Sequence, residues 1–190
     1  MRAEQSVDDE PDVAVIVLAG GESRRFGADK LGAPLAGTTV LDHLLRALPA
    51  QWPVVCVGPP RPTARAVTWV REDPPLGGPL AGIAAGLGQT SEDVVLVVAG
   101  DMPWAAPALP RLLAALCDSA ESAAAVASDG EGQANPLLAA YRREGLLRGL
   151  PHPAHGRRAK LLLDLPHVEV VVDGRPSQDV DVPGDLPASE

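Results

Sequence analysis

Apolar residues in this chain fall into two kinds of run. Val13–Leu18 and Val94–Ala99 are apolar at every position, whereas Val40–Leu48 places Leu41, Leu44, Leu45 and Leu48 at helical spacing. A strand apolar on both faces must be covered on both, as in a parallel sheet flanked by helices. The second pattern is that of an amphipathic helix, and Thr38 or Thr39 stands where its N-cap is needed. The same criteria predict strands at Val54–Val57, Ala66–Val70, Ala123–Ala127, Leu137–Tyr141 and Val168–Val172. Helices are predicted over Leu80–Leu87 and Pro107–Cys117, with further helical segments near Arg142–Leu150 and Arg157–Leu163. Pro151–Gly156 is a clear break, and no repeat or linker divides the chain. Alternating strands and helices predict a single-domain, Rossmann-like α/β fold with a mostly parallel sheet, whose ligand crevice lies beyond the carboxyl ends of the strands.

Composition narrows the function classes. At 190 residues with 46% hydrophobic and 22% charged residues, the chain has enough apolar material for one core. Its longest apolar runs fall far below the roughly 20 residues that span a bilayer, so no membrane helix is expected. The acidic, polar N-terminus has no signal-peptide pattern, which points to the cytoplasm. A net charge of −9 and 3% aromatic residues disfavour nucleic-acid binding. Cys56 and Cys117 lack a CxxC partner and are expected to be buried free thiols. His43, His152, His155 and His167 show no metal-ligand spacing and are read as structural.

The candidate chemistry begins where the first strand ends, at Leu18-Ala19-Gly20-Gly21-Glu22-Ser23-Arg24-Arg25-Phe26-Gly27-Ala28-Asp29-Lys30. This is neither GxxxxGK[ST] nor GxGxxG. Gly20 and Gly21 allow backbone N–H groups to approach phosphate oxygens, while Arg24, Arg25 and Lys30 supply cationic donors in an otherwise acidic chain. Asp101 follows the buried run Val94–Ala99, so its carboxylate should emerge at a strand's carboxyl end, where Mg²⁺ can bridge it to phosphate. Asp179 and Asp181, two apart, would share a face of an extended segment. They complete a metal site, position an acceptor, or belong to an acidic C-terminal surface with Asp173 and Asp185. Arg157, Arg158 and Lys160 either hold an anionic ligand or form a solvated basic face.

These segments together resemble the molybdenum cofactor guanylyltransferases, within the nucleotidyltransferases of the nucleotide-diphospho-sugar transferase fold. The resemblance is carried by the loop above, by Glu72-Asp73-Pro74-Pro75-Leu76-Gly77-Gly78-Pro79-Leu80-Ala81-Gly82, by Ala99-Gly100-Asp101-Met102-Pro103 and by Asp179-Val180-Asp181-Val182-Pro183. It implies one nucleotidyltransferase domain over 13–186, with 1–12 and 187–190 as mobile tails. GTP would be held by Leu18, Ala19, Gly20, Gly21, Lys30, Asp73, Gly78 and Asp101, with Lys30 on its phosphates and Asp73 on the guanosine. Asp101 and Asp181 would hold Mg²⁺, Arg24 and Arg25 would stabilise the leaving group, and Asn135, Asp179 and Asp181 would lie near the acceptor. Two departures stand out: Phe26 replaces the usual methionine, and Val57-Gly58-Pro59-Pro60 stands where an asparagine is usual.

The activity implied is transfer of GMP from GTP to the terminal phosphate of the molybdenum-molybdopterin cofactor, with release of pyrophosphate and no covalent enzyme intermediate. A related transferase using CTP or another phosphorylated acceptor is the alternative, and a nucleotide-binding regulatory domain is the non-enzyme alternative. The Gly20-Gly21 pair favours guanine, since related cytidylyltransferases more often resemble LAAGxSxRMG. The resemblance leaves open whether the enzyme works alone or docked to molybdoenzymes or their maturation proteins. As a loop residue, Lys30 is expected to be partly exposed, so that Lys30→Ala spares the fold. Asp101→Asn is likewise expected to leave the unliganded melting temperature almost unchanged.

Overall fold

The structure, a computed structural model, describes residues 11–21, 26–27, 29–129 and 131–186. Of the tails expected to be mobile, residues 1–10 and 187–190 lie outside the described residues. Asp12 already belongs to the fold, its carbonyl accepting from Val94 N–H at 3.0 Å.

Among the described residues nine strands and four α-helices follow one another: β1 (Val13–Leu18), β2 (Pro34–Leu35), β3 (Thr38–Thr39), α1 (Val40–Ala47), β4 (Val54–Val57), β5 (Thr68–Val70), α2 (Pro79–Leu87), β6 (Val94–Ala99), α3 (Ala108–Cys117), β7 (Ala124–Ser128), β8 (Ala134–Arg142), α4 (Arg143–Gly149) and β9 (His167–Val171). Seven strands form one sheet in the order β5-β4-β1-β6-β8-β7-β9. Within it β8 runs antiparallel to its neighbours; the other pairs are parallel. The chain leaves β1 toward β4 on one side and returns to β6 on the other, so the order reverses around β1. In doubly wound sheets that is where a crevice opens at the carboxyl ends of the strands.

Burial on both faces explains the apolar runs. Val13, Val15 and Val17 pack with Leu41, Leu44 and Leu45 of α1 and Leu109 and Leu112 of α3. Ile16 faces the other way, onto Leu80, Ile83 and Leu87 of α2 and Leu146 of α4. Helix α1 starts at Thr39, whose hydroxyl accepts from Asp42 N–H at 3.1 Å. Its far end is closed by Arg65, which donates to the carbonyls of Leu45, Leu48, Pro49, Ala50 and Trp52, satisfying groups that a helix terminus leaves without partners. Helix α2 meets the sheet closely because Gly86 has no side chain: a Cβ there would lie 2.8 Å from Ile16.

Two local expectations are corrected and one element is added. The predicted helix at Arg157–Leu163 is a 3-10 helix over Ala159–Asp164, in which Leu162 alone is fully buried while Ala159 and Leu163 pack against the core partly exposed; one fully buried anchor does not fix a longer amphipathic turn. Cys117 is exposed, at the end of α3, while Cys56 is buried in β4, where burial pushes its thiol up to about 12. The β2–β3 hairpin has no counterpart in the apolar pattern, being two residues per strand. Among the described residues no helix is long and apolar enough to cross a membrane.

Where β4 ends, the backbone runs against the loop that leaves β1. Ala19 N–H donates to Val57 O at 2.8 Å, and Gly58 N–H donates to Val70 O at 2.9 Å. Gly58 has φ +148°, and a Cβ on it would stand 2.5 Å from Ala19 O. Glycine at position 58 is therefore a requirement of close backbone approach. Gly58→Ala should cost about 1–3 kcal/mol of stability through backbone strain, read by chemical denaturation, and a wild-type midpoint would show that the two loops are not so tightly apposed.

Candidate active site

Three segments far apart in sequence meet beyond the carboxyl ends of β1 and β6. Lys30 opens a 3-10 turn at Lys30–Gly32, whose Leu31 is buried in the core. Asp101 follows β6 after Gly100, whose N–H donates to Leu18 O at 2.9 Å. The C-terminal segment arrives through Val180, which is fully buried and donates its N–H to Asp101 O at 2.8 Å. Asp185 shapes the turn that follows: its Oδ2 accepts from Asp181 N–H at 2.7 Å and Val182 N–H at 2.8 Å. Those two N–H donors hold the Asp185 carboxyl below its ordinary range.

At the junction Lys30 Nζ lies 2.7 Å from Asp101 Oδ2 and 3.2 Å from Asp181 Oδ1. Lys30 is only 9% exposed, which corrects the expectation of a partly exposed loop lysine. The turn packs Leu31 inward, and that draws the stem of Lys30 into the fold with it. Burial works against the ammonium, but the two carboxylates outweigh it and hold its pKa above the ordinary 10.5. A second ion pair braces the same turn, since Arg61 Nη1 reaches both oxygens of Asp29, at 2.8 and 2.7 Å. The Arg61 guanidinium holds the Asp29 carboxyl below its usual value. Gly32 leaves room for it, as a Cβ there would lie 2.6 Å from Asp29 Oδ2.

Beside this junction opens a cavity of about 440 Å³ lined by Leu18, Gly20, Gly21, Gly78 and Asp101 among others. Its walls are apolar at Leu18, Val57, Leu76 and Leu137, and polar at Glu72 and Asp101. The start of α2 faces it through Gly78, the N-cap at φ +84°, and Pro79, an end that favours negative charge. Gly82 also borders it and lies against Leu18 and Val57. Ala19 is buried within the loop, and Lys30 meets the cavity through Asp101.

The predicted residues thus divide. Leu18, Gly20, Gly21, Gly78 and Asp101 line one cavity, and Lys30 and Asp181 join Asp101 beside it. Asp73 is exposed and does not line the cavity; Glu72, half-buried, takes the place on its wall, with Oε1 accepting from Leu76 N–H at 3.0 Å. Asp179 is exposed, its segment is not a strand, and only Asp181 turns to Lys30. Asn135 lines a second cavity of about 390 Å³ with Gln133, Lys160 and Ser177, which shares Leu137 with the first. Its Oδ1 accepts from Leu137 N–H at 3.0 Å. Arg157 and Arg158 are exposed. Arg24 and Arg25 lie outside the described residues. Glu72, Arg61 and Asp185 were missed by sequence reasoning; only Glu72 had a signal, its place inside the Glu72–Gly82 motif.

Two carboxylates gathered on one ammonium are a hard, anionic oxygen pair already neutralising a cation. That donor set fits Mg²⁺, which is commonly held by one or two carboxylates with substrate phosphates supplying further oxygens. Among the described residues no group of three or more His, Cys, Asp or Glu is placed to hold a metal.

The fold is that of nucleotidyltransferases of the nucleotide-diphospho-sugar transferase fold. The molybdopterin-guanine dinucleotide biosynthesis protein A of Archaeoglobus fulgidus superposes with a TM-score of 0.70 at 24% identity, over 91% of this chain and 94% of its own. The 2-C-methyl-D-erythritol 4-phosphate cytidylyltransferase of Thermus thermophilus gives 0.63 at 19% identity, over 92% and 95%. These two likenesses establish the fold. In sequence, a family model for the MobA-like NTP transferase domain matches residues 15–170. A molybdenum cofactor guanylyltransferase of Shewanella frigidimarina is 35% identical over 157 residues, 80% of this chain and 76% of that relative; others from the same genus are spanned to 64% of their length. The chain belongs to the MobA-like NTP transferase family.

Because Lys30 is buried between two carboxylates, Lys30→Ala should not spare the fold. Loss of its charge-assisted bonds should cost about 1.5–3 kcal/mol near neutral pH, measured by urea denaturation. A raised lysine pKa contributes stability that is complete below 10.5 and is lost as pH rises through the folded value. The deficit of Lys30→Ala should therefore shrink at pH values above 10.5. The same pairing means that Asp101→Asn lowers the unliganded melting temperature, against the expectation from sequence.

Proposed function

We propose that the protein transfers GMP from GTP to the terminal phosphate of the molybdenum-molybdopterin cofactor, forming the guanine dinucleotide and releasing pyrophosphate. The observation that carries this reading is the meeting of Lys30, Asp101 and Asp181 beside a cavity bordered by Gly20 and Gly21. Family membership and the names of the relatives support the choice of nucleotide and acceptor.

In this reading the nucleoside lies in the cavity against Leu18, Val57 and Leu137, with Gly78 and Gly82 leaving it space and Glu72 on its polar wall; a contact from the exposed Asp73 would have to reach in from outside that wall. The N–H groups of the loop after β1 and the N-terminus of α2 receive the phosphates. An oxygen of the acceptor's phosphate attacks the α-phosphorus of GTP; the new P–O bond forms as the bond to the β-phosphate oxygen breaks, and pyrophosphate leaves. Lys30 neutralises charge on the transferred and leaving phosphates, assisted by Arg24 and Arg25 of the same loop. Bound Mg²⁺ would polarise the phosphates and align them, with Asp101 as its principal carboxylate and Asp181 as the second. Asn135, with its neighbours Gln133 and Lys160, borders the adjoining space for the acceptor, and the exposed Asp179 is assigned to the same ligand by the resemblance alone. The protein's task is alignment and charge neutralisation, so no side chain need become covalently attached. The cytoplasm, and any docking to molybdoenzymes or their maturation proteins, belong to the same proposal.

Pyrophosphate release with each nucleoside triphosphate, with and without molybdenum-molybdopterin, tests it. Release should require GTP and the acceptor together. A preference for CTP would overturn the base assignment, and tight GTP binding without turnover on any acceptor would favour a regulatory domain. Asp101→Asn nearly conserves volume but removes the anionic ligand, and should cut turnover by about a hundredfold or more at saturating Mg²⁺. Retained turnover in that variant would remove Asp101 from the cation site.

A further inference from the structure

The ammonium of Lys30 and any divalent cation at Asp101 and Asp181 seek the same two carboxylates. Asp101 Oδ2, at 2.7 Å, makes a short charge-assisted bond to Nζ, and Asp181 Oδ1 completes a bridge at 3.2 Å. A divalent ion bound tightly to either oxygen would stand next to a positive charge in a part of the fold where Lys30 is only 9% exposed and screening is weak. A second cation on these carboxylates is repelled by the ammonium beside it, so each disfavours the other. The ammonium has somewhere to go only when another anion is offered, and the nucleotide's phosphates are that anion.

We propose that Lys30 is the gate of the cation site: it occupies Asp101 and Asp181 in the free protein, excludes a lone divalent cation, and releases both carboxylates when a triphosphate draws it away. Cation and nucleotide then load together, each strengthening the other by the same factor, as linkage requires. The proposal rests on the assignment of Asp101 and Asp181 as cation ligands made above. It differs from a fixed division of labour, in which Lys30 serves only phosphate and Asp101 only metal. Under that arrangement removal of Lys30 leaves cation affinity unaltered, whereas a gate makes its removal strengthen cation binding in the absence of nucleotide.

The test is Mn²⁺ binding to the full chain without nucleotide, followed by calorimetry and by the electron paramagnetic resonance of the free ion. Wild type should bind weakly. Lys30→Met should bind about tenfold more tightly or better, the factor expected for removing a competing charge-assisted contact, and adding Asp101→Asn to that variant should abolish the gain. Equal or weaker binding by Lys30→Met, or a gain that survives Asp101→Asn, overturns the proposal. If loss of the ammonium prevents Lys30→Met from folding, melting curves decide instead. Restoration of a cooperative transition by Mn²⁺, but not by KCl of matched ionic strength, supports the gate, and failure of Mn²⁺ to restore it overturns it. No turnover enters these measurements, so a negative result leaves guanylyl transfer standing, while failure of that reading shows separately as absent pyrophosphate release.

Discussion

Everything at this site depends on one buried ammonium shared by two carboxylates. Lys30 comes from the loop after the first strand, Asp101 from the end of β6, and Asp181 from a segment 151 residues from Lys30 in sequence. No backbone ladder joins all three. Their mutual neutralisation offsets the cost of placing charge where Lys30 is almost covered, and it ties the C-terminal segment to the sheet at the point where Val180 N–H meets Asp101 O. The candidate site is thereby assembled in advance by charges of its own.

The sheet makes that meeting possible by keeping its strand ends close together. Gly100 and Gly58 both let neighbouring backbone approach the loop leaving β1, one beside Leu18 and the other beside Ala19. Gly82 and Gly86 do the same for α2 against β1, so its N-terminus sits at the cavity rather than above it. The apolar layers on both faces hold these approaches rigid. Stability and the shape of the candidate site are thus coupled: bulk added at Gly58 strains the fold and presses on the loop after β1 together.

Much of this is legible in the sequence alone. β1, β4 and β6 fall at the residues that the apolar runs mark, because a strand buried on both faces has only one way to be written. The glycine loop, Asp101 and Gly78 can be found because each stands at the end of a strand or the start of a helix, where local sequence carries the signal. What stays hidden depends on contacts across the chain. The burial of Lys30 follows from Leu31 packing inward, the clamp of Arg61 on Asp29 spans 32 residues, and the choice of Asp181 over Asp179 is made by the turn that Asp185 caps. The 3-10 helix near Lys160 reads as an α-helix because basic and apolar residues alternate there as they do on a helix face, without the second buried anchor that would lengthen it.

The central claim is that Lys30 and Asp181 are energetically joined in the free protein. A double-mutant cycle in urea stability, comparing wild type with Lys30→Met, Asp181→Asn and the pair, isolates that term. Direct contact predicts a coupling of about 0.5–3 kcal/mol, with the double variant less damaged than the sum of the singles. Strict additivity of the two losses would contradict the account.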